Sequence, residues 1–333
     1  MAASARVVVV GSLNVDSTSY VEAFPQPGET IRSHGFQVAL GGKGSNQAVA
    51  AHVVGASVDL VARIGADAAG DFAVATLERF GLPTGAIGRA ADAPTGVAQI
   101  TVADSGENTI VITSGANVAV TPDVVDAERD RIAAAALVLT QGELAVATID
   151  RVAEVAGAAG VRFVLNLAPP APVAAATLAV ADPLVLNEHE ARAVGIGTAA
   201  ADASGVGDGT AAADASLDAW RAVAASAVGR VARSIVVTLG SAGAVAASAD
   251  GSWTAPAPHV DAVDTTGAGD GFTGALAAFL AEGRSLEEAL RIAVAAGALA
   301  VQARGTVASY ASRGAVLRAA GLADDGSDGG STV

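Results

Sequence analysis

Short, nearly unbroken apolar runs recur along the chain, separated by longer alanine-rich stretches that read as helix. The runs at residues 7–10, 58–62, 137–140, 163–165, 184–186 and 235–239 predict strands. Most lack polar/apolar alternation, as strands do when both faces of a parallel sheet are covered. Strands and helices in turn predict a doubly wound α/β domain. Two stretches break the pattern. Across residues 17–38 and 97–113, polar and β-branched residues mix with turn signals at Pro25, Pro27-Gly28 and Asp104-Ser105-Gly106. That mixture predicts antiparallel strands with one solvated face, gathered into a small sheet outside the main domain. The stretch 195–214, rich in Gly, Ala, Ser and Asp, is expected to be a solvated loop, and 324–333 a disordered tail.

Composition narrows the partners more than the fold. A net charge of −15 argues against nucleic acid or an anionic membrane, both of which select a basic face. No apolar run approaches the roughly 18 residues of a membrane-spanning helix, and residues 1–6 lack the features of an export signal. Cysteine is absent, which removes disulfides and thiolate metal sites but permits any compartment; with no export signal the cytoplasm is the expected location. His34, His52, His189 and His259 are scattered without metal-ligand spacing, and no Gly-x-Ser-x-Gly elbow supports a hydrolase.

Candidate chemistry gathers in three segments. Asp264-Thr265-Thr266-Gly267-Ala268-Gly269-Asp270 runs directly into an apolar helix. Two glycines let the backbone turn close to a ligand, and the unpaired N–H groups of the helix start form an anion pocket. A carboxylate there, Asp270, suits proton handling beside a phosphate. Gly41-Gly42-Lys43-Gly44-Ser45-Asn46-Gln47 is a second glycine-rich helix entry, and it is not a Walker A loop because Gly44 follows Lys43. Lys43 offers a cation to phosphate oxygens and Asn46 an amide to a hydroxyl. Asn14 and Asp16 follow the first strand and can bridge neighbouring hydroxyls; standing alone, the pair would read better as an Asx turn. After Gly11 the chain lacks the Gly-x-Gly-x-x-Gly turn of a dinucleotide-binding dehydrogenase.

Several strand ends carry polar groups: Gln141 and Glu143, Asn166, Asn187, Thr238 and Gly240. Ligands of open α/β sheets bind outside the carboxyl ends of strands, so these groups are expected to converge on one crevice. Loop polarity and helix capping are the alternative for any single one.

Together the three segments resemble the ribokinase-like (phosphofructokinase-B-type) sugar kinase family. The likeness also runs through Pro27-Gly28-Glu29-Thr30, Gly115-Ala116-Asn117, Asn187-Glu188, Thr238-Leu239-Gly240-Ser241 and Gly305-Thr306-Val307-Ala308-Ser309. It implies a three-layer α/β/α domain with a mostly parallel central sheet (residues 1–13, 39–95 and 114–322). A small β-sheet lid (14–38 and 96–113) is implied as sugar cover and dimer clasp, followed by a disordered tail at 323–333. The implied activity is ATP-dependent phosphorylation of D-ribose at O5 in a homodimer. Asp270 would be the general base, the N–H groups of Gly267, Ala268 and Gly269 the anion hole, and Lys43 a further catalytic cation. Asn14, Asp16, Gly42, Lys43, Asn46, Glu143 and Asp270 would hold the sugar. Asn187, Thr238, Gly240, Ser241, Gly243 and Gly269 would line the ATP site, with Mg²⁺ bridging the phosphates. A K⁺ ion would sit on Asp264, Thr266, Ala300, Ala303, Gly305 and Ser309.

Two positions depart from the family pattern: Ser45 stands where Ala is commoner, and Val294 where a polar residue often lies near the adenine. The alternatives are a sister kinase acting on deoxyribose, fructose, 2-keto-3-deoxygluconate or a nucleoside such as adenosine, and a non-catalytic sugar-binding regulator on the same fold. Intact glycine turn and carboxylate speak against the regulator.

Overall fold

The computed structural model describes residues 5–197 and 217–323. The expected loop at 195–214 and tail at 323–333 fall almost wholly outside them. Among the described residues, thirteen strands form two sheets. In chain order they are β1 (Arg6–Val10), β2 (Asn14–Val21), β3 (Gly35–Gly41), β4 (Ser57–Gly65), β5 (Ile87–Ala90), β6 (Gly96–Ala103), β7 (Asn108–Thr113), β8 (Leu137–Gln141), β9 (Arg162–Asn166), β10 (Leu184–Asn187), β11 (Ile235–Thr238), β12 (Gly243–Ser248) and β13 (Gly251–Pro256).

The large sheet runs β13-β12-β11-β10-β9-β8-β1-β4-β5, parallel from β11 to β5 with β12 and β13 added antiparallel at one edge. Each apolar run predicted as a strand lies in this sheet. β1 shows why the runs do not alternate. Val7 and Val9 join one apolar cluster with the helices Ala268–Ala281 and Leu286–Ala300, while Val8 and Val10 join a second with Val146–Ala159 and Leu217–Ala227. All four valines are fully buried, each contributing about 1.5–3 kcal/mol relative to exposure. Helices on both faces make three layers.

The chain leaves β1 for β4 on one side, and β8 is its neighbour on the other. This reversal is a topological switch point, where the carboxyl ends of strands open a crevice. The small sheet, ordered β3-β2-β6-β7, rises from there, because β2 continues from β1 after three residues and β3 leads into the helix Lys43–Val53.

One expectation is corrected. The pairs β2/β3 and β6/β7 are antiparallel as predicted, but the central pair β2/β6 is parallel. Its paired residues, such as Asn14 and Gly96, are far apart in the chain, so no hairpin dictates their direction.

Candidate active site

Gly267 caps the helix Ala268–Ala281 in the left-handed region (φ 76°), with no side chain supplying a cap bond. A Cβ there would run into the Thr306 methyl group. The Ala268 N–H leans to the Thr265 carbonyl at 3.3 Å, whereas those of Gly267 and Gly269 have no partner among the described residues. A helix start with free N–H groups attracts an anion. Asp270, in the first turn, is only 6% exposed. Its Oδ2 accepts from Asn46 Nδ2 at 3.0 Å and its Oδ1 from Gln47 Nε2 at 2.8 Å.

Asn46 and Gln47 reach Asp270 because the helix Lys43–Val53 is seated against the end of β1. Gly42 turns the chain with φ 87°, and a Cβ on Gly44 would lie 2.6 Å from the Gly11 and Ser12 backbone. Ser45 gives its hydroxyl to the Gly41 and Gly42 carbonyls, so this departure from the family pattern is absorbed within the turn. Glu143 accepts from the Ser12 hydroxyl (2.5 Å) and the Lys43 N–H (3.0 Å). Asn14 Oδ1 accepts from Asn117 Nδ2 at 2.7 Å, and Asn117 in turn takes the Leu13 N–H. Asp16 stands against Gly41, where any side chain would displace its carboxylate.

Two acceptors in this crevice, Asp16 Oδ1 and Asn46 Oδ1, are buried without a partner among the described residues. Orphaned buried acceptors are costly unless a ligand donates to them, and a polyhydroxylated ligand does. Burial first, then the neighbouring Glu143 and Asp270, push the Asp16 carboxyl up to about 6. Lys43 is raised chiefly by Asp270, against the effect of burial and with help from Glu143 and Glu190, so its ammonium stays charged.

On the other side of Gly269 opens a cavity of about 420 Å³. Thr238, Gly240, Ser241, Gly243, Gly269 and Val294 lie on its wall, as expected for the nucleotide side. The rest is mainly apolar, from Pro258 to Phe272 and Val301. Asn187 is not among the lining residues. It stands beside Thr238 in register, but its Oδ1 caps the helix Glu188–Ala193 by accepting the Glu190 N–H at 2.8 Å.

Asp264 braces the loop before the helix cap. Its oxygens accept the Thr266 N–H and the Gly305 N–H, both at 2.9 Å. Burial opposes ionisation, yet the bonds from Gly305 and Thr266 outweigh it and hold the carboxyl below its ordinary value. Ala300 is buried at a helix end, Ala303 is exposed in the following turn, and the Ser309 hydroxyl donates to the Thr306 carbonyl at 2.8 Å. No group of three or more acidic or imidazole side chains fit for a metal occurs among the described residues.

Besides Gln47, four contributors went unassigned from the sequence. Ser12 and Asn117 hold Glu143 and Asn14. Tyr310 is half-buried, donates to the Gly267 carbonyl at 3.2 Å, and has its hydroxyl raised well above the ordinary value by desolvation and then by Asp270. Glu190 closes a capping box and also faces Lys43 and Asp270; burial raises it, opposed by the Asn187 N–H and Lys43. The Asn-x-x-Glu spacing signals the box but not the second contact.

A glycine-capped helix start lies between a crevice of unpaired acceptors and an apolar cavity, with a buried carboxylate at the junction. That arrangement defines a phosphoryl-transfer enzyme with a hydroxylated acceptor. The chain belongs to the pfkB family carbohydrate kinases, which match it over residues 4–313. It is 34% identical to the ribokinase of Haemophilus influenzae over 309 residues, covering 92% of this chain and 95% of the relative. It is 32% identical to the deoxyribokinase of Salmonella typhi, with the same coverage. The structure of Arabidopsis thaliana ribokinase complexed with ribose and ATP superposes with a TM-score of 0.84 at 30% identity, covering 96% of this chain and all of that one.

Proposed function

We propose that this kinase transfers the γ-phosphoryl group of ATP to O5 of D-ribose, giving ribose 5-phosphate and ADP. The observation that carries the reading is the pair of orphaned acceptors, Asp16 Oδ1 and Asn46 Oδ1, in the crevice next to Asp270. The likeness to ribokinases, one of them complexed with ribose and ATP, supports it. Asn14, Asp16, Gly42, Lys43, Asn46 and Glu143 hold the sugar; Thr238, Gly240, Ser241, Gly243 and Gly269 line the nucleotide side, with Asn187 at its margin.

Asp270 takes the proton of the attacking hydroxyl. The N–H groups of Gly267, Ala268 and Gly269, with the Lys43 ammonium, stabilise charge on the migrating phosphoryl group. A bound Mg²⁺ would neutralise phosphate charge, and Glu190, which faces Lys43 and Asp270, is the carboxylate that would hold it. Asp264, Thr266, Gly305 and Ser309, with the Ala300 and Ala303 carbonyls, would supply hard oxygens to a cation such as K⁺, and Asp264 contributes a carboxylate held ionised by the Gly305 and Thr266 N–H groups. The small sheet acts as a lid that keeps water from the phosphoryl group. Use of ATP suits a cytoplasmic setting. Comparing kcat/KM over ribose, deoxyribose, fructose, 2-keto-3-deoxygluconate and adenosine tests the substrate: ribose is expected to lead by about tenfold or more. A higher value for any other sugar overturns the assignment.

The raised Asp16 carboxyl sets a pH dependence. Its folded value near 6 exceeds the ordinary 3.8, so the apo protein holds this proton more tightly than the unfolded chain. The stability it contributes is full below about pH 4 and is lost as pH rises through 6. Sugar hydroxyls donate to the ionised form, so ribose affinity is expected to rise over the same window. Calorimetric titrations from pH 5 to 8 check this, with Asp16→Asn expected to flatten the profile.

The lid also supports a homodimer. Phe36 and Val38 on β3 and Ile110, Val111 and Ile112 on β7 are exposed apolar residues on the two edge strands of the small sheet. A second copy is the occupant that would cover both edges. Sedimentation is expected to give a dimer, and Phe36→Asp with Val111→Asp to weaken it about 100-fold or more.

A further inference from the structure

Gln47 follows Asn46 in the helix Lys43–Val53 and is fully buried. Its Nε2 donates to Asp270 Oδ1 at 2.8 Å and to Asn166 Oδ1 at 2.9 Å, while its Oε1 accepts from Gln141 Nε2 at 2.9 Å. Asn166 Nδ2 donates to the Val185 carbonyl at 3.2 Å. This chain has one consistent direction. A main-chain carbonyl only accepts, so Asn166 turns its NH₂ to Val185 and its oxygen to Gln47. Gln47 must then point its NH₂ at Asn166, and the second hydrogen of that group goes to Asp270. Gln141, donating from the end of β8, secures the same orientation from the other side.

Gln141 and Asn166 were expected to meet a ligand at the strand ends. They are instead 0% and 7% exposed, engaged with Gln47. Burying three amides next to an apolar core is unfavourable unless their bonds are made, and among the described residues only Gln141 Oε1 of this trio lacks a partner. What these bonds hold in place is one oxygen of the Asp270 carboxylate.

We propose that Gln47 is the positioning residue for Asp270, its amide oriented by Asn166 and Gln141 so that the carboxylate presents a fixed lone pair to the sugar hydroxyl. The inference rests on the reading of Asp270 as base. Asn46 holds the other oxygen, so loss of Gln47 leaves the carboxylate bound at one point and free to rotate. Lys43 on the same helix, Asp16 from β2, Glu190 after β10 and Tyr310 near the C-terminal helix also face Asp270.

The test compares Gln47→Leu, Gln47→Glu, Asn166→Leu and the Gln47→Leu/Asn166→Leu double variant in the full-length enzyme. Gln47→Leu is expected to lower kcat by about 10–100-fold, with the KM for ATP and the ribose dissociation constant within about threefold of wild type. Asn166→Leu loses less, and the double variant is no slower than Gln47→Leu, because the two act through one chain. Gln47→Glu keeps the volume and so reads out even where the leucine variant does not fold. Two adjoining carboxylates then share a proton, and the acid limb of the kcat–pH profile moves up by about one unit or more. A Gln47→Leu kcat within twofold of wild type, additive losses in the double variant, or an unmoved Gln47→Glu profile each overturn the proposal. Such a result beside an inactive Asp270→Asn leaves the base reading intact, whereas turnover in Asp270→Asn removes the base reading itself.

Discussion

Asp270→Asn is expected to lower kcat by about 10²–10⁴-fold, the range for loss of a positioned base, while ATP and ribose still bind. The neighbours of the side chain explain why the loss is severe and why stability falls with it. Asn46 and Gln47 both present NH₂ groups to the two carboxylate oxygens. An asparagine offers one acceptor and one NH₂, so one of the two donors would face another donor. Leaving a buried donor unpaired costs about 1–3 kcal/mol, so the melting temperature drops as well. Circular dichroism separates a folded, inactive protein from an unfolded one, and isothermal titration reports whether both substrates still bind. A folded variant with wild-type turnover would remove Asp270 from the chemistry.

Gly267→Ala is expected to lower kcat by about 10²–10³-fold, comparable to removing an anion-hole donor. Two effects combine. The φ of 76° places a β-carbon in the left-handed region, at about 1–2 kcal/mol. The new methyl also collides with the Thr306 methyl, and relief of that overlap shifts the Gly267 and Gly269 N–H groups from where the phosphoryl oxygens arrive. Adding Thr306→Ser deletes the colliding methyl but leaves the backbone strain. The double variant is therefore expected to recover part of the lost rate. Steady-state kinetics on both variants check this, and a double variant no faster than Gly267→Ala would show that the overlap is not the cause.

The unbroken valines of β1 made the covered parallel sheet legible, since both faces meet apolar clusters. The mixed polarity of 17–38 and 97–113 likewise marked a second sheet. It did not reveal that β2 and β6 run parallel, because alternation specifies which face a side chain takes and not the direction of its neighbour. The site shows the same division. Gly267, Asp270 and Asn46 were readable because the glycines and polar groups sit in short contiguous motifs. Glu143 was found as a strand-end group, but the Ser12 hydroxyl that holds it is 131 positions away. Asn187 illustrates a shared signal: a polar residue ending a strand and starting a helix reads as ligand or as cap, and here its oxygen caps. Gln47 stood in the motif without a role, since only the fold brings Asn166 and Asp270 to either side of its amide.

Incubating the protein with ATP, Mg²⁺, K⁺ and D-ribose, while following ADP release and locating the new ester by phosphorus-coupled carbon NMR, tests the central claim most directly. One ADP is expected per ribose 5-phosphate, with the ester at C5. Ribose binding without ADP release, or a phosphate at any other carbon, would contradict it.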